Sequence, residues 1–231
     1  GRARTRALAP RARREAAVTW TLQPLRRAAL AALALLPLAG CVAVTVGSND
    51  APPIVYYQLD DARPRTPAPA AANPAPRLAI QAISGNPIAD ASQLVFSRRP
   101  GERSFYQFAL WSERPSRRLA LLAQQRLEAG GTFAVVTQLG QPIATDWLLT
   151  LALESLVHDV STPPGTVRVA WRAELIRRSD RSRVGLRTFA AEAPAAEATA
   201  PSAVAAFDIA MANALDQMTA WVESTLAAQP R

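Results

Sequence analysis

The residue types that carry most enzyme chemistry are scarce in this chain. It has one cysteine, Cys41, one histidine, His158, and no lysine, so all 26 basic residues are arginines. A single cysteine excludes an intramolecular disulfide, and one histidine without a spaced carboxylate cluster disfavours a metal site. No glycine-rich loop precedes a helix, as phosphate binding would require. These absences favour a protein that anchors and binds over an enzyme.

The single cysteine closes an apolar segment near the start of the chain. Arg26-Arg27 precede the apolar residues 28–36, and Leu38-Ala39-Gly40-Cys41 follow. A cationic anchor, a short apolar helix and small residues are the layout of a secretory signal. Leu-Ala-Gly-Cys resembles a bacterial lipobox. We therefore expect a signal peptidase to recognise Leu38, Ala39 and Gly40, and Cys41 to carry diacylglycerol and a fatty acyl chain, with no other cofactor.

Two alternatives to this interpretation stay open. Residues 28–46 carry no charge, and such a run can also be an uncleaved membrane anchor. Pro37 and Gly40 disfavour a continuous helix through it. A plain cleaved signal is the other alternative, but it gives no reason for a cysteine directly after Leu-Ala-Gly.

The first 17 residues are polar and arginine-rich, which is unusual in front of a secretory signal. One explanation is that translation starts downstream, at Val18, so that residues 1–17 are not translated. A mitochondrial presequence has a similar composition, but it does not account for the lipobox. We assign residues 1–40 to the leader and signal peptide.

The formal net charge of +8 belongs to this leader. Residues 1–40 hold eight arginines and one acid, Glu15, which gives +7, and residues 41–231 hold 18 arginines and 17 acids, which gives +1. The mature chain therefore has no basic footprint for nucleic acid. Its length fits one domain with a tether. We assign residues 41–53 to a lipidated tether and residues 54–231 to the domain.

Apolar and β-branched runs between turn residues predict strands. They cover residues 54–59, 77–84, 93–98, 104–111, 132–137, 147–160, 167–175 and 184–191. Helical spacing predicts two helices, from Pro115 to Gly130-Gly131 and from about Pro201 to Gln229. This order predicts an α+β two-layer domain, with a mostly antiparallel sheet covered on one face by two helices. Residues 61–76, rich in Ala and Pro, predict an exposed loop.

His158 is a weak candidate for catalysis. It lies beside Asp159, with Ser155 and Ser161 close in sequence. Neighbouring residues of a strand point to opposite faces, so this arrangement does not form a Ser-His-Asp triad. We interpret His158 as a solvated or capping residue near a strand end.

Aromatic residues concentrate in the strands at 54–59 and 104–111. Four of them are candidates for an interface: Tyr56, Tyr57, Tyr106 and Trp111. Core packing is the favoured interpretation of the cluster, and any member that is exposed would instead be an interface anchor.

The order of these motifs resembles the ABC-type transport auxiliary lipoproteins, the family that includes PqiC-like membrane-integrity proteins. The resemblance runs from about residue 26 to 228 and ends with the Ala-rich final helix. The residues that carry it are Leu38-Ala39-Gly40-Cys41, Tyr56-Tyr57-Gln58-Leu59, Arg103 ahead of Phe105-Tyr106, Trp111-Ser112-Glu113-Arg114-Pro115, and Glu174-Leu175 before Arg187-Thr188-Phe189. The Ala/Pro-rich stretch at 61–76 is longer than the family pattern and enlarges a loop.

The resemblance implies an auxiliary, non-catalytic role. Such lipoproteins accompany an inner-membrane ABC transporter and an MCE-domain protein that move lipids between two membranes, and these are the expected partners, together with further copies of the chain. Val42 stands where an Asp retains lipoproteins at the inner membrane of enteric bacteria, so the anchor is expected on the periplasmic face of the outer membrane. In an alternative role, the domain itself contacts lipid in an apolar groove between helices and sheet.

Overall fold

The computed structural model describes residues 52–66 and 75–229, which belong to one compact unit. Its strands are β1 (Val55–Tyr57), β2 (Arg77–Ser84), β3 (Gln93–Ser97), β4 (Ser104–Trp111), β5 (Val135–Gln138), β6 (Trp147–Asp159), β7 (Thr166–Arg177) and β8 (Arg183–Pro194). Its helices are α1 (Pro115–Ala129) and α2 (Ala200–Ala227). Within this described part, neither helix has the length and apolar content to cross a bilayer.

All eight strands join one sheet in which β6 is central. One edge of β6 pairs with β7 in antiparallel orientation, and β7 pairs in the same way with β8. The other edge of β6 is shared, because β2 runs parallel to Trp147–Leu153 and β3 runs parallel to His158–Asp159. β5 extends the β2 branch, and β4 and then β1 extend the β3 branch.

Strand β7 shows how the sequence produces the two layers. Five of its apolar residues are fully buried and lie at alternate positions, with charged residues such as Arg168 and Arg172 between them; the five are Val167, Val169, Trp171, Ala173 and Leu175. Because successive side chains point to opposite faces of a strand, one face of the sheet becomes apolar. Helix α1 packs against β2, β5 and β6, and α2 packs against β7 and β8.

Both helices begin close to the predicted residues, and each buries its apolar face. Pro115 occupies the first turn of α1, where its missing N–H breaks no hydrogen bond. Gly131, with a φ of 69°, follows the end of α1. The predicted apolar stripe of α2 is fully buried at Phe207, Met211, Leu215, Met218 and Val222. The Phe207 ring meets the edge of the Trp111 ring at 5.7 Å between centroids.

The α+β two-layer architecture is confirmed, and the sheet is mixed. Four of the seven strand pairs are parallel, although the two longest ladders, β6–β7 and β7–β8, are antiparallel. Most strand bounds lie within two residues of the prediction; the larger differences are that β5 starts three residues later and β8 ends three residues later than expected, and β1 is shortened to three residues. The predicted signal peptide, the lipobox and residues 41–51 of the tether lie outside the described residues and stay predictions.

Candidate functional site

Strand β1 presents apolar side chains at an edge of the sheet. It pairs with β4 on one side and, among the described strands, with nothing on the other. Ile54, Val55 and Tyr56 are 55%, 42% and 66% exposed, and we call these three residues the edge patch. An edge strand with a free side can accept an added strand or a packed partner surface.

The four aromatic residues predicted for an interface do not form one surface. Trp111 is only 4% exposed and packs in the core, so it cannot anchor a partner, in agreement with the core-packing interpretation. Tyr57 is half-buried against the same core. Tyr106 is half-buried in the first half of β4, away from the edge patch. Of the four, Tyr56 alone is predominantly exposed.

His158 is fully buried, so its interpretation as a solvated or capping residue is wrong. Its Nε2 lies 3.1 Å from the Pro164 carbonyl oxygen, which can only accept, so Nε2 carries the proton. Nδ1 then accepts from the Tyr106 hydroxyl at 2.8 Å. Burial lowers the pKa of His158, and the Pro164 carbonyl and the Asp159 charge partly offset this effect.

Asp159 points away from His158, as predicted. Its Oδ1 accepts the Ser161 backbone N–H at 2.9 Å, and the hydrogen bonds from Ser161 lower its pKa. With both ring nitrogens of His158 occupied inside the domain, His158 is not placed to act as the base of a Ser-His-Asp triad. In residues 52–66 and 75–229, no cluster of three or more His, Cys, Asp or Glu side chains could hold a metal ion.

Residues 59–65, which we call the strap, cross from β1 onto both helices. Arg126 of α1 donates from Nη2 to Asp61 Oδ1 at 2.6 Å, and its other nitrogens reach Asp61 Oδ2 and Asp216 of α2. Arg63 and Arg65 also bind Asp216, at 3.0 and 2.9 Å. Asp61 and Arg126 are 8% and 2% exposed. Within the predicted exposed loop, Asp61 is therefore buried, whereas residues 62–66 are exposed as expected; residues 67–74 lie outside the described part.

Charge pairing keeps both members of the buried pair ionised. Burial by itself raises the pKa of Asp61, but hydrogen bonds from Arg126 and Arg63 outweigh it and lower the pKa below its ordinary value. The hydrogen bond from Arg126 to Asp61 raises the pKa of the guanidinium. Sequence reasoning missed this pair because the two residues are separated by 65 positions and carry no local pattern.

A second carboxyl under the strap is less well paired. Asp208 of α2 accepts the Asp60 backbone N–H at 2.8 Å. Burial raises the pKa of Asp208 to about 6, and the nearby Asp60 and Asp61 charges also raise it. The Arg118 charge partly opposes this rise in the pKa of Asp208. Arg118 also binds the strap, because it donates to the Leu59 carbonyl at 2.7 Å and to Asp60 at 3.1 Å.

Strands β3 and β6 end side by side at one end of the sheet, because Phe96 pairs with His158 and Ser97 with Asp159. The β3–β4 turn (98–103) and the β6–β7 turn (160–165) therefore lie next to each other, and we call this region the hairpin end. The Val160 N–H donates to the Ser97 carbonyl at 2.8 Å and joins them. The Pro100-Gly101 turn connects β3 and β4, which pair in antiparallel orientation and form a hairpin.

Two cavities open at the hairpin end. One, of about 540 Å³, is polar, and its arginines Arg103 and Arg168 lie with the acids Asp159 and Glu192. The other, of about 610 Å³, is lined mainly by aromatic and apolar residues, with Arg98, Gln107 and Ser161 as further polar residues, and we call it the hairpin pocket. Its main lining residues are Phe96, Arg98, Phe105, Tyr106, Val160 and Pro163.

The apolar groove expected between helices and sheet is not what the described residues show. The sheet residues beneath the helices, including Leu149, Leu151 and Trp171, are fully buried by direct packing. A cavity beside α1 holds about 290 Å³, and its lining includes the polar residues Gln81, Ser116, Arg117 and Gln138. The observed packing therefore gives the groove alternative no support.

Solved structures with this fold are found by comparison. Protein XCC0632 from Xanthomonas campestris, of family DUF330, matches 75% of this chain and 97% of its own, with 23% identity and a TM-score of 0.66. An uncharacterized protein of known structure matches 75% of this chain and 99% of its own, with 16% identity and a TM-score of 0.53. At these identities the structural matches show the fold alone.

Sequence comparison identifies the family. No curated protein matches the chain significantly. A family model described as the ABC-type transport auxiliary lipoprotein component matches residues 57–219, which contain the edge residue Tyr57, the strap, the hairpin end and most of α2. The match covers well over half of the sequence, and the chain therefore belongs to the ABC-type transport auxiliary lipoprotein family.

Proposed function

We propose that this chain is a lipid-anchored, non-catalytic docking component of an ABC- and MCE-type lipid transport system, held on the periplasmic face of the outer membrane. Its family is an auxiliary component of ABC transport, and this membership is the observation that carries the proposal. The docking role, the MCE-domain partner and the outer-membrane location are the parts that we add.

The proposed anchor is Cys41 with its diacylglycerol and fatty acyl chain. Burying acyl chains contributes about 0.8 kcal/mol per CH₂ group, so several chains together hold a protein firmly where one would not. The tether of residues 41–53 spans at most about 45 Å when extended. The domain would therefore remain close to the membrane surface while keeping freedom to turn toward a partner.

The proposed docking surface is the edge patch. Three apolar side chains at a sheet edge that no described strand covers supply both contact area and backbone groups for pairing, the two features that strand addition uses. Tyr56 is the principal anchor in this proposal, because a largely exposed tyrosine offers a broad apolar contact with a polar hydroxyl at its tip. The buried and fully engaged His158 supports a role in binding over catalysis.

Affinity capture from crosslinked membranes tests this function. We expect an MCE-domain protein, identified by mass spectrometry, to co-purify with the native protein and to be lost with Tyr56→Asp. Leu186→Asp is the matched control, because Leu186 is an exposed apolar residue, at 50%, on the distant strand β8. If no MCE-domain protein co-purifies with the native protein, the docking role is wrong. If Tyr56→Asp and Leu186→Asp behave alike, the edge patch is not the docking surface.

A further inference from the structure

The hairpin pocket contains an arginine, Arg98, that has no ion-pair partner among residues 52–66 and 75–229. At the hairpin end, Arg99 pairs with Glu102 at 3.4 Å and Arg168 pairs with Glu192 at 3.6 Å. Arg103 shares the polar cavity with Asp159. Arg98 forms no ion pair with any described residue. Glu197 is the acid next in sequence to the pocket residue Ala198, and it does not pair with Arg98 either. The pocket therefore combines one cation with a mainly aromatic and apolar lining, in which Gln107 and Ser161 are the neutral polar residues.

The aromatic side of the pocket is held rigidly. The Arg98 guanidinium lies over the Phe96 ring, 4.9 Å from its centroid, and the Phe96 and Tyr106 rings are 4.9 Å apart. The Tyr106 hydroxyl is fixed by His158 at 2.8 Å. An arginine stacked on a ring in this way keeps its N–H edge available for an oxyanion.

Phe105 extends the pocket toward solvent. Its side chain is 43% exposed on β4, directly after the arginine-rich turn. An exposed aromatic ring beside basic residues is the combination with which peripheral proteins contact a bilayer interface, because the ring enters the headgroup region and the cations bind anionic headgroups. Both elements are present here within one hairpin.

The hairpin end lies on the same side of the sheet as the residues that lead into β1. Strand β1 runs parallel to β4, with Val55 opposite Ala109, and β4 begins at the hairpin end. Residues 52–54 therefore precede β1 on the side of the sheet that holds the hairpin end. This step rests on the proposed function, because only a lipid on Cys41 makes that side the one facing the membrane.

We propose that the hairpin pocket binds the anionic headgroup of a membrane glycerophospholipid. Arg98 binds the phosphate, the tilted Phe96 and Tyr106 rings form the floor, and Phe105 enters the interface beside the headgroup. The site is separate from the edge patch and gives the domain a second contact with the bilayer. That contact orients the edge patch relative to the membrane.

Vesicle co-sedimentation tests the proposal without any acyl anchor. The protein is the chain from residue 41 onward with Cys41→Ser, which contains the complete compact unit 52–231. It is mixed with phosphatidylcholine vesicles that contain or lack phosphatidylglycerol. We expect binding only to the vesicles with phosphatidylglycerol, and about fivefold weaker binding for Arg98→Gln, since one arginine near an anionic surface contributes on that scale. Phe105→Ser is expected to weaken binding as well.

Matched controls separate the pocket from surface charge in general. Arg187 also stacks on a phenylalanine, 5.3 Å from the Phe189 centroid, but lies on β8. Arg187→Gln and Leu186→Ser should bind vesicles like the parent. Equal binding to both vesicle types, or native binding by Arg98→Gln, would overturn the proposal. The affinity-capture assay gives a further test. If Arg98→Gln keeps vesicle binding but no longer captures the MCE-domain protein, the pocket is a protein contact and the headgroup proposal is wrong. The vesicle assay uses neither acylation nor the partner. A failure of vesicle binding would therefore leave the proposed function standing.

Discussion

Arg126 and Asp61 form a buried ion pair that connects the beginning of the domain to its first helix. Arg126 Nη2 donates to Asp61 Oδ1 at 2.6 Å, and the same guanidinium reaches Asp216 on α2. One side chain therefore joins the strap, α1 and α2. Only residues 57–58 separate the edge patch from the strap, so this pair holds the proposed docking edge against the helical layer.

Removing the arginine should unfold the domain more easily. Arg126→Met leaves Asp61 buried without its partner, and we expect a loss of about 3–5 kcal/mol in the free energy of unfolding, measured by urea titration. The matched control is Arg117→Met on the same helix, because Arg117 is 79% exposed and pairs only with Glu113 at 3.7 Å. Its expected cost is below about 0.5 kcal/mol.

The double variant Asp61→Asn with Arg126→Met refines this prediction. Removing both charges should recover part of the lost stability, because the penalty of the single variant comes from an uncompensated buried carboxylate. Equal stability losses for Arg126→Met and Arg117→Met would contradict the role assigned to the buried pair.

Asp208, which lies under the strap, should lower the free energy of unfolding of the domain in a pH-dependent way. Its pKa is about 6 in the folded protein against an ordinary value of 3.8, so the folded state binds this proton more tightly than the unfolded chain. The carboxyl therefore costs no stability below about pH 4, and its cost grows as the pH rises to about 6. Asp208→Asn should raise the free energy of unfolding at pH 7 by about 1 kcal/mol or less, since the group is half-exposed.

Urea titrations of native protein and Asp208→Asn between pH 4 and pH 8 measure this effect. His158 acts in the opposite direction, because its lowered pKa reduces stability as the pH falls below its ordinary value of 6.5, but it contributes equally to both proteins. A native–variant difference that stays constant over the whole range would refute the assignment to Asp208.

Local patterns predict the helices and the antiparallel part of the sheet well. In β7, Val167, Val169 and Trp171 lie at alternate positions, and the exposed Arg168 and Arg172 mark the opposite face. Pro115 and Gly130-Gly131 mark the limits of α1. These signals are local because they follow from backbone geometry and side-chain direction. The parallel pairing of β1 with β4 has no such signal, since it depends on which strands meet after crossovers.

The site is less predictable than the fold because it depends on contacts between distant residues. Tyr56 and Trp111 belong to similar aromatic strands, yet one is 66% and the other 4% exposed. His158 looks like a strand-end residue in sequence, but the 160–165 turn and Tyr106 enclose it. Hydrophobic periodicity reports which face of a strand is apolar; it does not report what covers that face.

His158 should prove structural. His158→Ala leaves the Tyr106 hydroxyl and the Pro164 carbonyl without their partner, at about 1–3 kcal/mol for each buried group left unsatisfied. We expect a lower melting temperature, measured by circular dichroism, and unchanged capture of the MCE-domain protein at temperatures where the variant is folded. Tyr106→Phe, which removes only the hydroxyl, should show a smaller loss. A fully folded His158→Ala protein that has lost its function would instead indicate chemistry at this residue.

Cys41 should be the attachment point of the membrane anchor. Metabolic labelling with a fatty-acid probe should mark the native protein and not Cys41→Ser, because Cys41 is the only cysteine in the chain and is the predicted acylation site. On a density gradient of separated membranes, the native protein should migrate with the outer membrane, and Cys41→Ser should move to the soluble periplasmic fraction, since the domain's single headgroup contact is weak without acyl chains. Ser48→Ala, a change within the predicted tether, should alter neither result. Equal labelling of the native protein and Cys41→Ser would exclude the lipid anchor, and migration of the labelled protein with the inner membrane would exclude the proposed location.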